Sequence, residues 1–490
     1  MREISIPEYA NPIPKLELLP IVGGTAIRPA GAMRQVVDPG SGKTLLELRD
    51  SDSAQVDDAI SAAHRSFESG EWKNATWETR ATTLWNIAEA LERHRDTLAK
   101  LETLDQGMPL AMGEGMVSHA VRAFRYYAGL AGDEGFTGFD EYDGELRRIN
   151  TVVRQPIGVC VLIVPWNAPL MLLATKLAPA LAAGCSVVVK PSEMTPLSAM
   201  LVARICEEAG LPPGVVNVAL GDGDVGSQLV SDPRVRKVSF TGSTAVGRSI
   251  ISQVSEDLTK VTLELGGKSP VIVFEDADLD KAAAGAVGAI LGNTGQVCTA
   301  GSRLYAHQNV RDELLERMVA KFGQYRIGHG MDPDTRLGPL TSHSHRNRVL
   351  RYMELGADEA ADKVIGGEAF GPGYFLSPTV FVDPKDSARI AREEIFGPVL
   401  TAFTFSSTEE AVRRANDSSF GLAASVWTEN VGLAQRVSRQ LEAGRVGINV
   451  HATPDVRMPT GGFKESGWGR ELGRAGLESY TETKSIVYQI

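Results

Sequence analysis

The 490-residue sequence predicts an α/β protein built on doubly wound parallel sheets, with more than one domain. The chain is too long for a single hydrophobic core. Its composition, with 43% hydrophobic residues, 23% charged residues and 50 glycines, is typical of α/β enzymes. From residue 157 onward, short apolar strands alternate with helical segments, a pattern that indicates parallel strands joined by crossover helices.

The N-terminal part is predicted to be largely helical after a short extended arm. Residues 1–50 mix prolines, glycines and short apolar runs, which predict an arm with a small hairpin. Asp52 can cap a first helix, a longer helical stretch begins near Thr76, and Gly107 ends it before another helix that runs to about Leu130.

Two alternating series of strands and helices follow. The first series has predicted strands at 159–164, 186–189, 215–219, 235–240 and 260–264, with helices at 170–183 and 196–209, a short one ending at 230, and one at 245–254. The second has strands at 271–274, 364–365, 380–382, 399–405, 424–426 and 446–449. Residues 145–154 and 484–490 are also strand-like; the former is either a plain edge strand or a strand that reaches a partner subunit.

Composition excludes several classes of partner. The net charge of −11, without any Lys/Arg run, argues against binding nucleic acid or an anionic membrane. The first residues lack a signal-peptide core, and no run reaches roughly 18 apolar residues. Four scattered cysteines without a CxxC pair are typical of a reducing compartment, so we expect a cytoplasmic protein without a metal site.

One of the four cysteines has the surroundings of a nucleophile. Cys160, Cys185 and Cys206 lie in apolar segments, where free cysteine usually serves as a small core residue. Cys298 instead lies in the polar, glycine-rich stretch 292–302. A reactive thiol needs partial exposure and a polar environment, and this loop can supply both.

Several turns could hold a dinucleotide. Residues 221–226 fit the G-x-G-x-x-G fingerprint between a strand and a helix, although the expected downstream acidic residue is absent. Residues 240–247 also join a strand to a helix N-terminus, where free N–H groups can bind a pyrophosphate. Lys190 and Glu193 follow a buried strand and could bind ribose hydroxyls; tight-turn geometry is the alternative explanation for the glycines.

Taken together and in order, these motifs resemble the NAD(P)-dependent aldehyde dehydrogenase superfamily over nearly the whole chain. The matching segments are Pro165-Trp166-Asn167, Lys190-Pro191-Ser192-Glu193, Phe240-Thr241-Gly242-Ser243, Leu263-Glu264-Leu265-Gly266-Gly267-Lys268, Gly295-Gln296-Val297-Cys298, Glu393-Glu394-Ile395-Phe396-Gly397-Pro398-Val399 and Gly461-Gly462-Phe463-Lys464-Glu465-Ser466-Gly467. The resemblance implies a dinucleotide-binding domain (1–139 and 158–267), a catalytic domain (268–461) and a strand-based oligomerisation element (140–157 and 478–490). It also implies a homodimer or homotetramer.

The resemblance assigns three catalytic roles. Cys298 would attack the aldehyde carbon to give a thiohemiacetal, which hydride transfer converts to a thioester. The Asn167 side-chain amide and the Cys298 backbone N–H would hold the oxyanion. Glu264 would act as general base for the thiol or for the water that hydrolyses the thioester.

It also assigns the cofactor site. NAD is expected rather than NADP, because Glu193 would repel a 2′-phosphate. His343 and His345 are interpreted as a solvated loop or the rim of this site, not as metal ligands. The residues implied are Ile163, Val164, Pro165, Trp166, Lys190, Glu193, Gly223, Phe240, Gly242, Ser243, Val246, Leu265, Glu394 and Phe396.

The sequence departs from its relatives where the substrate would lie. Positions that are often aromatic in those relatives are Ala168, Thr175, Gly292 and Thr460 here, which predicts a wide tunnel and a bulky aromatic or aliphatic aldehyde. Alternatively, Arg457, assisted by His119, could bind a carboxylate-bearing semialdehyde.

Two other functions remain as alternatives. CoA-acylating relatives generally lack the general base, whereas Glu264 is present here. A non-catalytic structural descendant would not need Cys298, Glu264 and Asn167 together.

Overall fold

The computed structural model describes residues 4–490 apart from 5, 10, 12, 17, 133–136, 143–146 and 360–361, and only the backbone of 137–142. The helices are α1 Ser53–Ser69, α2 Trp77–Arg93, α3 Arg95–Gln106, α4 Leu110–Leu130, α5 Pro169–Ala183, α6 Leu197–Glu208, α7 Gly223–Val230, α8 Thr244–Val254, α9 Leu279–Leu291, α10 Arg311–Phe322, α11 His343–Asp358, α12 Arg389–Arg392, α13 Thr408–Asn416, α14 Val431–Gln440 and α15 Gly473–Glu478. The strands are β1 Ile21–Val22, β2 Thr25–Ala26, β3 Met33–Asp38, β4 Lys43–Arg49, β5 Thr137–Tyr142, β6 Arg147–Pro156, β7 Val159–Ile163, β8 Ser186–Lys190, β9 Val216–Val218, β10 Val235–Thr241, β11 Lys260–Glu264, β12 Pro270–Val273, β13 Arg303–His307, β14 Asp362–Ile365, β15 Ala369–Phe370, β16 Phe375–Leu376, β17 Thr379–Val382, β18 Val399–Phe405, β19 Phe420–Gly421, β20 Ala423–Trp427, β21 Arg445–Ile448, β22 Phe463–Lys464, β23 Gly467–Trp468 and β24 Thr481–Gln489.

The first large sheet has the strand order β23-β11-β10-β7-β8-β9. Its strands are parallel except for β23, which pairs antiparallel with β11. Alternate residues of β7 pack on opposite faces: Cys160 and Leu162 contact the core formed with α2 to α6, whereas Val159 and Val161 contact the core formed with α1, α7 and α8. Helices therefore cover both faces, and the predicted doubly wound arrangement is confirmed.

The second large sheet has the order β14-β17-β18-β13-β12-β20-β21 and is parallel except at β14. In β12, Ile272 packs with α11 to α14, while Val271 and Val273 pack with α9 and α10. The second sheet is thus also covered on both faces. Strand β13 at its centre is absent from the sequence prediction.

A small third sheet, in the order β24-β6-β5, contains the strands predicted for oligomerisation. Strand β24 pairs antiparallel with β6 from Thr481↔Pro156 to Gln489↔Arg148. Glu145 and Leu146, at the start of the predicted strand, lie outside the described residues. In this sheet the C-terminal strand β24 is therefore paired with β6, the strand that directly precedes β7.

Local signals explain most helix ends. The Asp52 side chain accepts from the Gln55 N–H, the Gln55 side chain accepts from the Asp52 N–H, and Gly70 ends α1 at φ 81°. The stretch after Thr76, predicted as one helix, is two, because the chain turns at His94 between α2 and α3. Among the described helices, none is long and apolar enough to cross a membrane.

Candidate active site

A strained turn carries Cys298. Between α9 and the cysteine, residues Gly292–Gly295 form a 3-10 turn in which Asn293 and Thr294 have φ of 47° and 57°. Gly295, at φ 75°, has no room for a side chain, since a Cβ would lie 2.1 Å from the Gly397 carbonyl oxygen. Cys298 is half-buried, whereas Cys160, Cys185 and Cys206 are buried. The segment after the turn, which carries Cys298, is therefore packed closely against the loop at Gly397.

Hydrogen bonds join this turn to the Asn167 segment. The Asn167 amide donates to the Gln296 carbonyl at 2.8 Å, and the Asn293 amide donates to the Asn167 carbonyl at 2.7 Å. The Gln296 side chain accepts from the Thr341 N–H at 2.9 Å. The Asn167 amide carries a second hydrogen, and both Asn167 and Cys298 line the same cleft.

Glu264 ends β11, opposite Thr241 of β10. The side chain is buried, and its Oε1 atom has no hydrogen-bond partner in the described part of the chain. It lies against Gly461, where an added Cβ would come within 2.9 Å of Oε1. Burial, together with the nearby charge of Glu471, raises the pKa of Glu264 to about 8.

A buried charge pair lies beside this carboxyl group. Lys176 contacts Glu471, which also accepts from the Ser239 hydroxyl at 3.0 Å. Lys176, Arg470 and Arg445 favour the charged form of Glu264, but burial outweighs them in setting its pKa.

The Cys298 thiol is also held in its neutral form. Burial raises its pKa to about 12, and the charges of Glu394 and Glu264 act in the same direction. Arg445 and the Thr299 N–H oppose this shift. A base is therefore needed to produce the thiolate in this conformation.

A cleft of about 150 Å³ adjoins the thiol. Glu394 accepts from the Gly267 N–H at 2.9 Å, and burial raises its pKa to about 7. The rings of Phe396 and Trp166 meet edge to face with centroids 5.3 Å apart. The lining residues are Pro165, Trp166, Asn167, Thr241, Gly242, Ser243, Leu265, Gly266, Cys298, Arg348, Glu394 and Phe396.

The remaining residues predicted for the cofactor lie along the carboxyl ends of β7, β8 and β10. Ser243 caps α8 and accepts from the Val246 N–H at 3.3 Å. Lys190 is buried and donates to the Pro191 carbonyl at 3.2 Å, and Glu193 lies in a small adjoining pocket. The carboxyl edge of the first sheet, the N-terminus of α8 and the Glu394 carboxyl group together fit an extended dinucleotide. Ile163 ends β7 and Val164 follows it, Phe240 and Leu265 are buried, and Gly223 begins α7.

The predicted loop at His343 is only partly correct. His343 begins α11 and His345 is buried, so the pair is not a solvated loop. The His345 ring lies 5.1 Å from the Trp166 ring, and its Nε2 donates to the Phe396 carbonyl at 2.7 Å. His345 thus supports the two aromatic residues of the cleft.

The predicted substrate residues occupy different environments. His119 lies 3.4 Å from the Thr175 hydroxyl, and burial lowers its pKa to about 4. Ala168 is buried and precedes α5, while Thr460 accepts from Arg445. The Arg457 side chain is 74% exposed and pairs with Asp455 at 2.7 Å.

A larger cavity of about 530 Å³ borders the other side of the Cys298 segment. It reaches the two neighbours of the cysteine, Val297 and Thr299. Gly288 and Gly292 face open space, with nothing within 4 Å of an added Cβ. The rest of the lining is Lys281, Ala284, Gly285, Ala289, Trp427, Asn449, Val450, His451 and Ala452.

Sequence reasoning missed several residues that shape the site. Glu471 and Lys176 set the charge around Glu264, and Arg445 lies between two loops of the site. His451 donates to the Thr299 carbonyl at 2.7 Å. No motif marks these residues; only Glu471, beside the C-terminal signature, was near a recognisable pattern.

Comparison with known proteins gives consistent matches. The model of the aldehyde dehydrogenase family matches residues 27–486. The chain is 42% identical over 460 residues to a putative aldehyde dehydrogenase of Bacillus subtilis, covering 93% of this chain and 92% of that one. It is 42% identical over 460 residues to phenylacetaldehyde dehydrogenase of Pseudomonas fluorescens, covering 92% of each. Betaine aldehyde dehydrogenase of Staphylococcus aureus in complex with NAD+ superposes with a TM-score of 0.94 at 38% identity, covering 96% of this chain and 95% of that one.

Proposed function

Because this chain belongs to the aldehyde dehydrogenase family, we propose that it oxidises an aldehyde to the free carboxylic acid with NAD as the hydride acceptor. The observation that carries this proposal is that Cys298 and Asn167 line one cleft with Glu394 and Phe396. Glu264, the residue matched to the general base, is buried and acts on the pKa of Cys298. These groups are the ones that thioester chemistry requires.

The chemistry divides into two halves. The Cys298 thiolate attacks the aldehyde carbon, and the Asn167 amide and Cys298 N–H stabilise the oxyanion of the thiohemiacetal. Hydride transfer from this carbon to NAD, when NAD is bound, would convert the thiohemiacetal to the thioester. Glu264 then takes a proton from water, which attacks the thioester and releases the acid with the Cys298 thiol. The presence of Glu264 supports hydrolysis over acyl transfer to CoA, and the complete set of groups supports catalysis over a structural role.

The cofactor proposal rests on the cleft and its edge. Glu394 would hold the nicotinamide ribose, and Phe396 would pack on the nicotinamide ring. Lys190 and Glu193 would hold the adenosine ribose, and Ser243 would meet the pyrophosphate at the start of α8. The NAD+ complex of the Staphylococcus aureus relative supports this choice of cofactor. The Glu193 carboxylate would repel the 2′-phosphate of NADP.

The proposed substrate is larger than acetaldehyde. The cavity of about 530 Å³ beside Val297 and Thr299 offers room for a bulky group, and Gly288 and Gly292 leave it open. Cavities of roughly this size accommodate drug-sized ligands.

We also propose a homodimer or homotetramer in a reducing compartment such as the cytoplasm. Strand β24 forms one edge of the small sheet, and its exposed side chains include Val487 and Tyr488. An exposed apolar edge strand favours pairing with another chain. The four cysteines are free, which suits a reducing environment.

The test is NADH formation by the purified protein with a panel of aldehydes. The panel contains acetaldehyde, long aliphatic aldehydes, aromatic aldehydes and semialdehydes, each with NAD and with NADP. We expect NADH and free acid in equal amounts without CoA, with bulky members preferred. Absence of NADH with every aldehyde, or release of product only with CoA, would overturn the proposal.

A further inference from the structure

Arg445 is a cation near the reacting groups, and it belongs to none of the motifs recognised in the sequence. It begins β21, the edge strand of the second sheet, where its neighbour Val446 packs toward the opposite face. Its guanidinium donates to the Ala452 carbonyl at 3.2 Å and to the Thr460 hydroxyl at 2.7 Å. Within the described residues, no carboxylate lies within 4 Å of it, so its charge is not neutralised by an ion pair.

Both hydrogen-bond partners belong to segments that contact the catalytic groups. Ala452 follows His451, which holds the Thr299 carbonyl next to Cys298. Thr460 precedes Gly461, which lies against the Glu264 carboxyl. The guanidinium therefore lies between the segment of the nucleophile and that of the base. Its charge lowers the pKa of both Cys298 and Glu264, as expected for a nearby cation.

The other cations of this region pair with a carboxylate, line the cleft proposed for the cofactor or are uncharged at neutral pH. Arg470, which also acts on the pKa of Glu264, packs over the Phe463 ring at 5.6 Å from its centroid. Lys176 pairs with Glu471, and Arg457 is exposed and pairs with Asp455. Arg348 donates to the Glu394 carbonyl at 2.8 Å. Burial lowers the pKa of His119 to about 4, so it carries no charge at pH 7. Arg445, whose charge acts on both Cys298 and Glu264, is the better candidate to receive an anion near these two residues.

We propose that Arg445 binds an anionic group of the substrate, so that the aldehyde oxidised here carries a carboxylate. The guanidinium is planar and keeps further N–H groups after its bonds to Ala452 and Thr460, and such groups bind carboxylates in a fixed geometry. Arg445 is half-buried, so part of the residue faces solvent. The inference rests on the proposed function, since it names the substrate class of the same site.

Matched pairs of aldehydes test this inference. Succinic semialdehyde is compared with butanal, and 4-carboxybenzaldehyde with 4-methylbenzaldehyde, by kcat/KM in the wild type, Arg445→Met and Arg445→Lys. Arg439→Met serves as the control, because Arg439 is an exposed arginine on α14. We expect the wild type to prefer the acidic member of each pair. Arg445→Met should lose about 10- to 100-fold of that preference through a higher KM for the acidic member, in addition to a fall in kcat that both members share, because the charge of Arg445 also favours the Cys298 and Glu264 anions. Arg445→Lys should keep part of it and Arg439→Met all of it.

Several results would overturn the inference. These are equal kcat/KM for acidic and neutral aldehydes in the wild type, an unchanged ratio in Arg445→Met, or an equal loss on both members of a pair. Loss of the preference in Arg457→Met instead would assign the carboxylate to that arginine. Circular dichroism and NAD binding check that each variant is folded. Oxidation of neutral aldehydes without an acid preference would refute this inference alone, whereas no NADH from any aldehyde would refute the proposed function as well.

Discussion

Cys298 and Glu264 are both held in their neutral forms, and this couples their chemistry. Burial raises the pKa of the thiol to about 12 and that of the carboxyl group to about 8. Each group needs its charged form to act, and each carries a negative charge when it does. The charge of Arg445 favours both anions, which reduces the cost of forming either one in this buried site.

The first prediction concerns the pH dependence of turnover. Glu264 accepts a proton only when ionised, and its raised pKa keeps it protonated below about pH 8. The deacylation rate should therefore rise with pH and level off above pH 8. Glu264→Gln should lower the rate by about 10²- to 10⁴-fold and remove this inflection, with NAD affinity preserved. Single-turnover kinetics across pH 6–10 measure the deacylation rate of the wild type and of Glu264→Gln. A pH profile that is the same in both proteins would exclude Glu264 as the base.

The second prediction concerns the nucleophile. Cys298→Ala should lower turnover by at least about 10³-fold, because Cys298 is the only cysteine among the described residues that line the cleft. NAD binding, followed by fluorescence quenching, should stay within a factor of about two, since the groups proposed to hold NAD are Glu394, Phe396 and Ser243 and not the Cys298 thiol. Cys206→Ala is the control: Cys206 is buried in α6, away from the cleft. Near-wild-type turnover in Cys298→Ala would refute the assignment.

The three residues assigned to catalysis could be predicted from the sequence because they lie in motifs. Cys298, Glu264 and Asn167 each occur in a short segment that is recognisable by itself. Arg445 could not be predicted, because a single arginine in a strand has no signature and its role depends on where β21 begins relative to the loop at Thr460. The raised pKa of Glu264 could not be predicted from the sequence either, because it depends in part on the charge of Glu471, which is more than two hundred residues away along the chain.

The turn after β11 joins the base, the nucleophile and the cofactor cleft. Gly266 lies against the Glu394 carboxyl, and Gly267 against the Cys298 carbonyl, with added Cβ atoms at 2.5 Å and 2.2 Å from their oxygens. Neither position can carry a side chain without moving its neighbour. The Gly-Gly pair thus allows three segments to approach one another closely.

The third prediction follows from this close approach. Gly267→Ala should displace the Cys298 backbone and lower kcat by about 100-fold, because small errors in position are costly for an oxyanion site. Gly129→Ala, at an exposed helical position in α4 with nothing near an added Cβ, should leave kcat unchanged. Steady-state kinetics and thermal unfolding of both variants provide the measurement. Full activity in Gly267→Ala would mean that the loop tolerates the shift.

The fourth prediction concerns the cavity beside α9. Gly292→Phe should fill part of it and lower kcat/KM for bulky aldehydes by about tenfold or more, with acetaldehyde affected little. Gly129→Phe is the matched control. An equal effect on small and bulky aldehydes would show that the bulky group lies elsewhere.

Most elements follow from periodicity and caps, and the exceptions have physical reasons. The break at His94 leaves the apolar period nearly intact, so the two helices look like one. The left-handed residues Asn293 and Thr294 occur in a turn held by tertiary hydrogen bonds, which local propensity does not report.

The two large sheets place their functional loops toward one another. Glu264 ends β11 of the first sheet, whereas Cys298 precedes β13 of the second. The segment 461–471 returns to the first sheet through β23, which pairs with β11 at Glu264↔Gly467. A segment near the C-terminus therefore completes the site beside Glu264. The alternation of strands and helices alone does not predict that this segment pairs with the first sheet.

The last prediction tests the small sheet as a subunit contact. Among the described strands, β24 is hydrogen-bonded only to β6, and Val487 on it is 62% exposed. A charge there should destabilise pairing with another chain, so Val487→Lys should shift the protein toward smaller species in light scattering coupled to size exclusion. Val364→Lys, on the edge strand β14, is the control for a new charge on an exposed strand. If both variants elute like the wild type at micromolar concentration, β24 does not hold the subunits together, and its apolar side chains need another explanation.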